Sequence, residues 1–285
     1  MKFSKKNILL ERGLFFINFC FVITMIVIFY FNLKLEYFFY TLIISTLIIS
    51  YVTFTKYKTF SKGIVLTNLF VYFYFLYPYI AEFTTNLIGS QSAYILILYT
   101  LLLAFILLEF LGKKEHVLRT IYDLKFKGIL GVFALALVFG TVFYVAGEPI
   151  PTQILEEAPQ SLIIIILHIF FLSFLIGVSE QLLFTGFLYN TYSTMTRAID
   201  AQIQTALLFV SFHMLRIKAV VSSFMIQYGP LAETYIFLYF CFLFVFMNIS
   251  ILLYRGCSWF KGSFAYSVIF HTIVDFTLIS LIFFL

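Results

Sequence analysis

The stretch IIIILHIFFLSFLIGVSEQLLFTGFLYNTY, residues 163–192, decides the fold. It is longer than the roughly 20 apolar residues an α-helix needs to cross a bilayer, and its one carboxyl group is Glu180. Such a segment belongs in lipid, where an ionisable side chain is costly and marks an ion path, a proton relay or a reaction centre. The remaining sequence repeats the pattern. A chain of 285 residues that is 63% hydrophobic and 11% charged, with a mean hydropathy of +1.06, does not fold as a soluble globule. Further apolar runs occupy 13–32, 37–54, 65–88, 93–111 and 129–147 before this stretch, and 204–215, 235–254 and 264–285 after it. Glycine and proline breaks at Gly128, at 149–159, at Gly229-Pro230 and at 256–262 mark the loops. The expectation is an all-α polytopic transmembrane helix bundle of eight or nine spans. Residues 1–160 form its N-terminal transmembrane helices and 161–285 a core that carries the chemistry, packed as one membrane domain.

Charge sets the orientation. Lys2, Lys5, Lys6 and Arg12 precede the first span, Lys56, Lys58 and Lys62 follow the second, and Lys113, Lys114, Arg119, Lys125 and Lys127 follow the fourth. Basic loops stay in the cytoplasm. The loop 148–160, with Glu148, Glu156 and Glu157, has no cation and is expected outside. The N-terminus is then cytoplasmic, and the C-terminus lies outside if the connection 216–233 is external or re-entrant. The net charge of +5 is thus spread by topology and does not form a nucleic-acid patch. Membrane lipid is the expected surrounding. The 40 Phe and 20 Tyr are read as mostly lipid-facing and interfacial, and are given no functional weight. Cys20, Cys241 and Cys257 lack ligand spacing and indicate neither a disulfide framework nor a cysteine metal site. Richness in Phe, Ile, Tyr, Lys and Asn suits an AT-rich microbial genome, and hence a cell membrane.

Four polar residues interrupt the apolar segments of the second half: Glu180, His213, His271 and Asp275. Two histidines with two carboxylates suit metal binding or general acid/base hydrolysis better than transport alone. Ser179, Gln181 and Thr185 surround Glu180 with hydrogen-bonding groups. In Phe209-Val-Ser-Phe-His213 the spacing of four places the phenyl ring beside the imidazole, where it holds it in place. In His271-Thr-Ile-Val-Asp275 the same spacing puts imidazole and carboxylate on one face, as two ligands or as a histidine oriented by a neighbouring oxygen. His168 has no such company and is read as a core residue.

A glutamate helix, then Phe-x-x-x-His, then His-x-x-x-Asp, over about 161–277, resembles the CAAX protease and bacteriocin-processing (CPBP, or Abi) family of intramembrane proteases. Phe184, Gly186 and Phe187, and the run Leu252 to Gly256 followed by Trp259, add to the likeness. The resemblance implies an endopeptidase with its active site inside the membrane, acting on membrane-associated, prenylated or precursor peptide substrates. Glu180 and His213 would activate a water, and His271 with Asp275 would bind the oxyanion or retain a metal. In a zinc version His213, His271 and Asp275 are the ligands; in a metal-free version Glu180 is the general base. The family has a second glutamate and an arginine where this chain has Gln181 and Thr185. Loss of both members of a charge pair leaves no buried unpaired ion, and these two positions are expected to matter less than Glu180 or the histidines. The departure also allows an inactive relative serving as an immunity, scaffold or regulatory protein. A proton-coupled transporter has less support, since no repeated halves are evident.

Overall fold

The computed structural model describes residues 92–111, 117, 124–145, 161–218, 229–257 and 260–284. The runs expected at 13–32, 37–54 and 65–88 and the loop 148–160 lie outside the described residues. The described chain is helical apart from one two-stranded hairpin. Helix α1 covers Ser92–Leu111 and α2 Phe126–Val145. Helix α3, Leu162–Glu180, continues without a break into a π-helical segment, Gln181–Tyr189, and then α4, Asn190–Met195. Helix α5 is Ala198–Lys218, α6 is Ala232–Arg255, and α7 is Phe264–Phe284. Between α6 and α7, β1 (Gly256–Cys257) pairs antiparallel with β2 (Phe260–Lys261).

Among the described residues, Phe126–Val145, Leu162–Ser193, Ile236–Arg255 and Phe264–Phe284 are long and apolar enough to cross a membrane, and α5 holds a shorter apolar stretch, Ala198–Val210. The 32-residue run Leu162–Ser193 is about 48 Å long at 1.5 Å per residue, well beyond the hydrocarbon thickness. Its two halves differ in surroundings. Leu162, Ile163, Leu167, Phe171 and Phe174 are exposed, whereas every residue from Ser179 to Tyr192 is buried.

Helix α7 is the centre of the packing, with α2 and α3 against it. Glycines allow close approach. A Cβ on Gly140 of α2 would lie 2.6 Å from the Thr277 side chain and 2.9 Å from the Val274 carbonyl, and one on Gly177 of α3 would lie 2.7 Å from Thr272 Oγ1. Small residues let helix backbones meet in lipid, where van der Waals packing, not solvent exclusion, drives association. Phe170 meets Phe276 while Gly177 meets Thr272, so α3 runs antiparallel to α7. Helix α2 runs parallel to it. The Tyr266 hydroxyl at the start of α7 accepts from the Lys125 N–H (2.8 Å) and donates to the Lys125 carbonyl (3.3 Å) at the start of α2.

Asn190 fastens the far end of the π segment. Its amide donates to the Gly186 carbonyl and to the Tyr254 hydroxyl, each at 2.7 Å, and Thr191 donates to the Phe187 carbonyl at 2.8 Å. Wider π turns leave carbonyls poorly served, and these side chains satisfy them. Exposed Lys125, Lys127, Arg197, Arg255 and Lys261 all lie at this hairpin end of the bundle, with Arg197 paired to Asp200 at 2.8 Å.

The phenylalanines divide between the outside and the core of the bundle. Phe126, Phe133, Phe170, Phe171 and Phe174 do face outward, but Phe184, Phe209, Phe246 and Phe270 are fully or almost fully buried and form the inner wall of the bundle. Edge-to-face and stacked rings fill a core without needing hydrogen-bond partners.

Candidate functional site

Three separate stretches of sequence converge inside the bundle. Glu180 ends α3, His213 lies in the last third of α5, and His271 lies two turns into α7. All three are buried: Glu180 is 4% exposed, His213 8% and His271 3%. Glu180 Oε2 is 3.7 Å from His271 Nε2 and 4.0 Å from His213 Nε2. One carboxylate oxygen therefore faces both imidazoles. Asp275, one turn beyond His271, brings Oδ2 to 3.4 Å from the same His271 Nε2 and is the most open member, with its side chain 21% exposed. All four residues singled out from the sequence thus belong to one constellation. His168, half-buried on α3, is not part of it.

The walls are aromatic. Phe209 packs over His213 with ring centroids 4.2 Å apart, as the spacing of four predicts. Phe246 of α6 meets His271 edge-on at 4.8 Å and stacks on Phe270 at 5.2 Å, while Phe184 closes on Phe209 at 4.9 Å. Such walls keep the dielectric low, so interactions among the polar groups are stronger than in water. Phe246 carries no motif, and nothing in its spacing separates it from the other phenylalanines of its helix.

Gln181, set below the histidines on sequence, also reaches the constellation. Fully buried at the start of the π segment, it places its side-chain amide nitrogen 2.9 Å from His271 Nδ1. Thr185, also fully buried, donates its hydroxyl to Gln181 Oε1 at 2.6 Å. A neutral hydrogen-bonded pair thus occupies the two positions where the resembled family has a charged one, and it leaves no buried ion to compensate. Ser179, by contrast, turns back to the Ile176 carbonyl at 2.9 Å and serves its own helix.

Among the described residues, no group of three or more His, Cys, Asp or Glu side chains is arranged to hold a metal ion. His213 Nδ1 is engaged with the Phe209 carbonyl at 2.9 Å and His271 Nδ1 with Gln181, so only the Nε2 atoms face the shared space. Chemically, the arrangement presents a buried carboxylate to two imidazoles, the elements of proton transfer and oxyanion binding. Comparison with known proteins returned no match, whether to a protein-family model, a curated protein or a solved structure.

Proposed function

We propose that this chain is an intramembrane endopeptidase of the kind the CPBP resemblance implies, hydrolysing peptide bonds of membrane-associated or lipidated substrates with a water activated by Glu180 and His213. The observation that carries the reading is the convergence of Glu180, His213 and His271 within 4.0 Å in a buried, aromatic-walled space. Ionisable groups are seldom gathered at such depth without a use for them. In the reaction, Glu180 takes a proton from water as its oxygen attacks the substrate carbonyl carbon. His271 stabilises the oxyanion of the tetrahedral intermediate, Asp275 steadies the imidazole, and the abstracted proton passes to the departing amine as the C–N bond breaks. An ionised Asp275 has no hydrogen to give an oxyanion; it accepts from His271 Nε2–H in the resting site and shares that hydrogen with the oxyanion as it forms.

In this reaction Glu180 is the general base. In the zinc version that the resemblance implies, His213, His271 and Asp275 would be the ligands, but as placed they are not arranged to hold the ion. The basic hairpin end is taken as cytoplasmic. His271 then stands about 10 Å from the start of α7, within reach of a peptide drawn in from that side. A microbial cell membrane is the proposed location.

A second reading, favoured by the neutral Gln181–Thr185 pair, is a non-catalytic relative acting as an immunity, scaffold or regulatory protein. Cleavage of a peptide and prenyl-peptide library by purified protein, beside Glu180→Gln and with metal content measured before and after chelation, separates the two. Loss of cleavage by about 10²-fold or more in a folded Glu180→Gln variant is expected. A fully active Glu180→Gln protein refutes the mechanism, and a folded wild type that cleaves nothing favours the second reading.

A further inference from the structure

The two histidines meet their surroundings in opposite ways. His213 Nδ1 lies 2.9 Å from the Phe209 carbonyl. A carbonyl only accepts, so Nδ1 carries the hydrogen, and in the neutral ring Nε2, which faces Glu180, is then the unprotonated nitrogen. His271 is held the other way round. Its Nδ1 faces the amide nitrogen of Gln181 at 2.9 Å, and an NH2 group only donates. Nδ1 therefore accepts and Nε2 carries the hydrogen.

Two further contacts support that assignment. An amide can be turned end for end; as it stands, the Thr185 hydroxyl donates to Gln181 Oε1 at 2.6 Å and the amide nitrogen faces His271. On the opposite edge of the ring, Nε2 faces Asp275 Oδ2 at 3.4 Å and Glu180 Oε2 at 3.7 Å. A hydrogen there is attracted to two carboxyl groups at once, whereas His213 Nε2 has before it the more distant Glu180 Oε2, at 4.0 Å.

We propose that Gln181, steadied by Thr185, is a positioning residue that holds His271 as its Nε2–H tautomer while the Phe209 carbonyl holds His213 in the opposite tautomer. The pocket then presents one imidazole as proton acceptor and the other as hydrogen-bond donor before any substrate arrives. The catalytic consequence rests on the peptidase reading: His213 stands with Glu180 on the side of the attacking water, and His271 on the side of the developing oxyanion. The tautomers themselves do not depend on it. One chemical corollary concerns metals. A protonated Nε2 is no ligand, so the amide of Gln181 must turn over before His271 can bind zinc through that atom.

The chain has four histidines, His116, His168, His213 and His271, few enough for site assignment by substitution. Long-range ¹H–¹⁵N correlation on ¹⁵N-histidine protein in nanodiscs reads each tautomer directly. The expected result is Nδ1–H at His213 and Nε2–H at His271. Gln181→Glu replaces the donor by an acceptor and should move His271 to Nδ1–H or to the imidazolium, with His213 unchanged. Thr185→Val should blur the His271 assignment, and Thr185→Ser should restore it. Where cleavage is measurable, Gln181→Glu should lower kcat by about 10²-fold with little change in KM. A wild-type His271 found as Nδ1–H, or a folded Gln181→Glu protein with an unaltered His271, overturns the proposal. The expected tautomers in a protein that cleaves nothing would uphold it while refuting the peptidase reading.

Discussion

Replacing Gly177 by alanine tests whether the contact of α3 with α7 sets the geometry of the site. The new Cβ would lie 2.7 Å from Thr272 Oγ1, 3.1 Å from the Thr272 backbone nitrogen and 3.4 Å from its Cα. The hydroxyl is buried and without a hydrogen-bond partner, so turning it aside breaks no bond. The backbone nitrogen is different. To restore a contact of about 3.4 Å it must retreat by about 0.3 Å, and α7 moves with it, because interiors are too densely packed to absorb the change locally. Overpacking of this kind costs about 1–3 kcal/mol. Thr272 adjoins His271, so the displacement reaches the 3.7 Å approach to Glu180. A misplacement of about 1 Å costs about 10²-fold in rate, and the smaller shift here should lower kcat several-fold. Denaturant unfolding in mixed micelles would measure the first effect and peptide cleavage the second. Thr272→Ala should recover only part of the loss, since it removes the hydroxyl but not the backbone nitrogen, giving a coupling of about 0.5 kcal/mol or more between the two substitutions. A Gly177→Ala protein as stable as the wild type, or strict additivity with Thr272→Ala, would refute the argument.

Tyr254→Phe removes the acceptor of one Asn190 hydrogen bond at the end of the π segment; about 1 kcal/mol of stability should be lost, measured by the same unfolding assay, with the site chemistry little changed. Phe246→Ala should cost about 3–5 kcal/mol and leave a cavity beside His271. Phe246→Leu should retain most of the stability, and both variants should affect kcat more than KM in the cleavage assay.

The helices were legible because their composition leaves few alternatives: the run expected at 129–147 is α2 at Phe126–Val145, and the run 163–192 lies within the continuous helix Leu162–Ser193. Phe209 over His213 was legible too, since a separation of four residues in a helix implies contact. The π segment was not. Its residues have the composition of any apolar helix, and nothing in their spacing marks the wider turns, whose last carbonyls, Gly186 and Phe187, accept from Asn190 and Thr191 four residues on. Phe246 was hidden among many phenylalanines, because only the fold distinguishes a ring against lipid from one against an imidazole. Gln181 was read as a lost glutamate; its contact with His271 depends on how α3 and α7 meet, which no local spacing encodes.

The two-sided character of the run Leu162–Ser193 bears on how the protein is made. Its first half, with Ile163, Leu167, Phe171 and Phe174 outward, can partition into lipid as soon as it is synthesised. The second half carries Glu180 and Gln181; α1, which packs against it, precedes it in the chain, but the side chains that meet these two polar groups, His213 of α5 and His271 of α7, come later. During synthesis these polar groups must wait for their partners, at a cost of several kcal/mol while they face hydrocarbon. The site is thus closed by its last helix, and the fidelity of assembly depends on the arrival of α7.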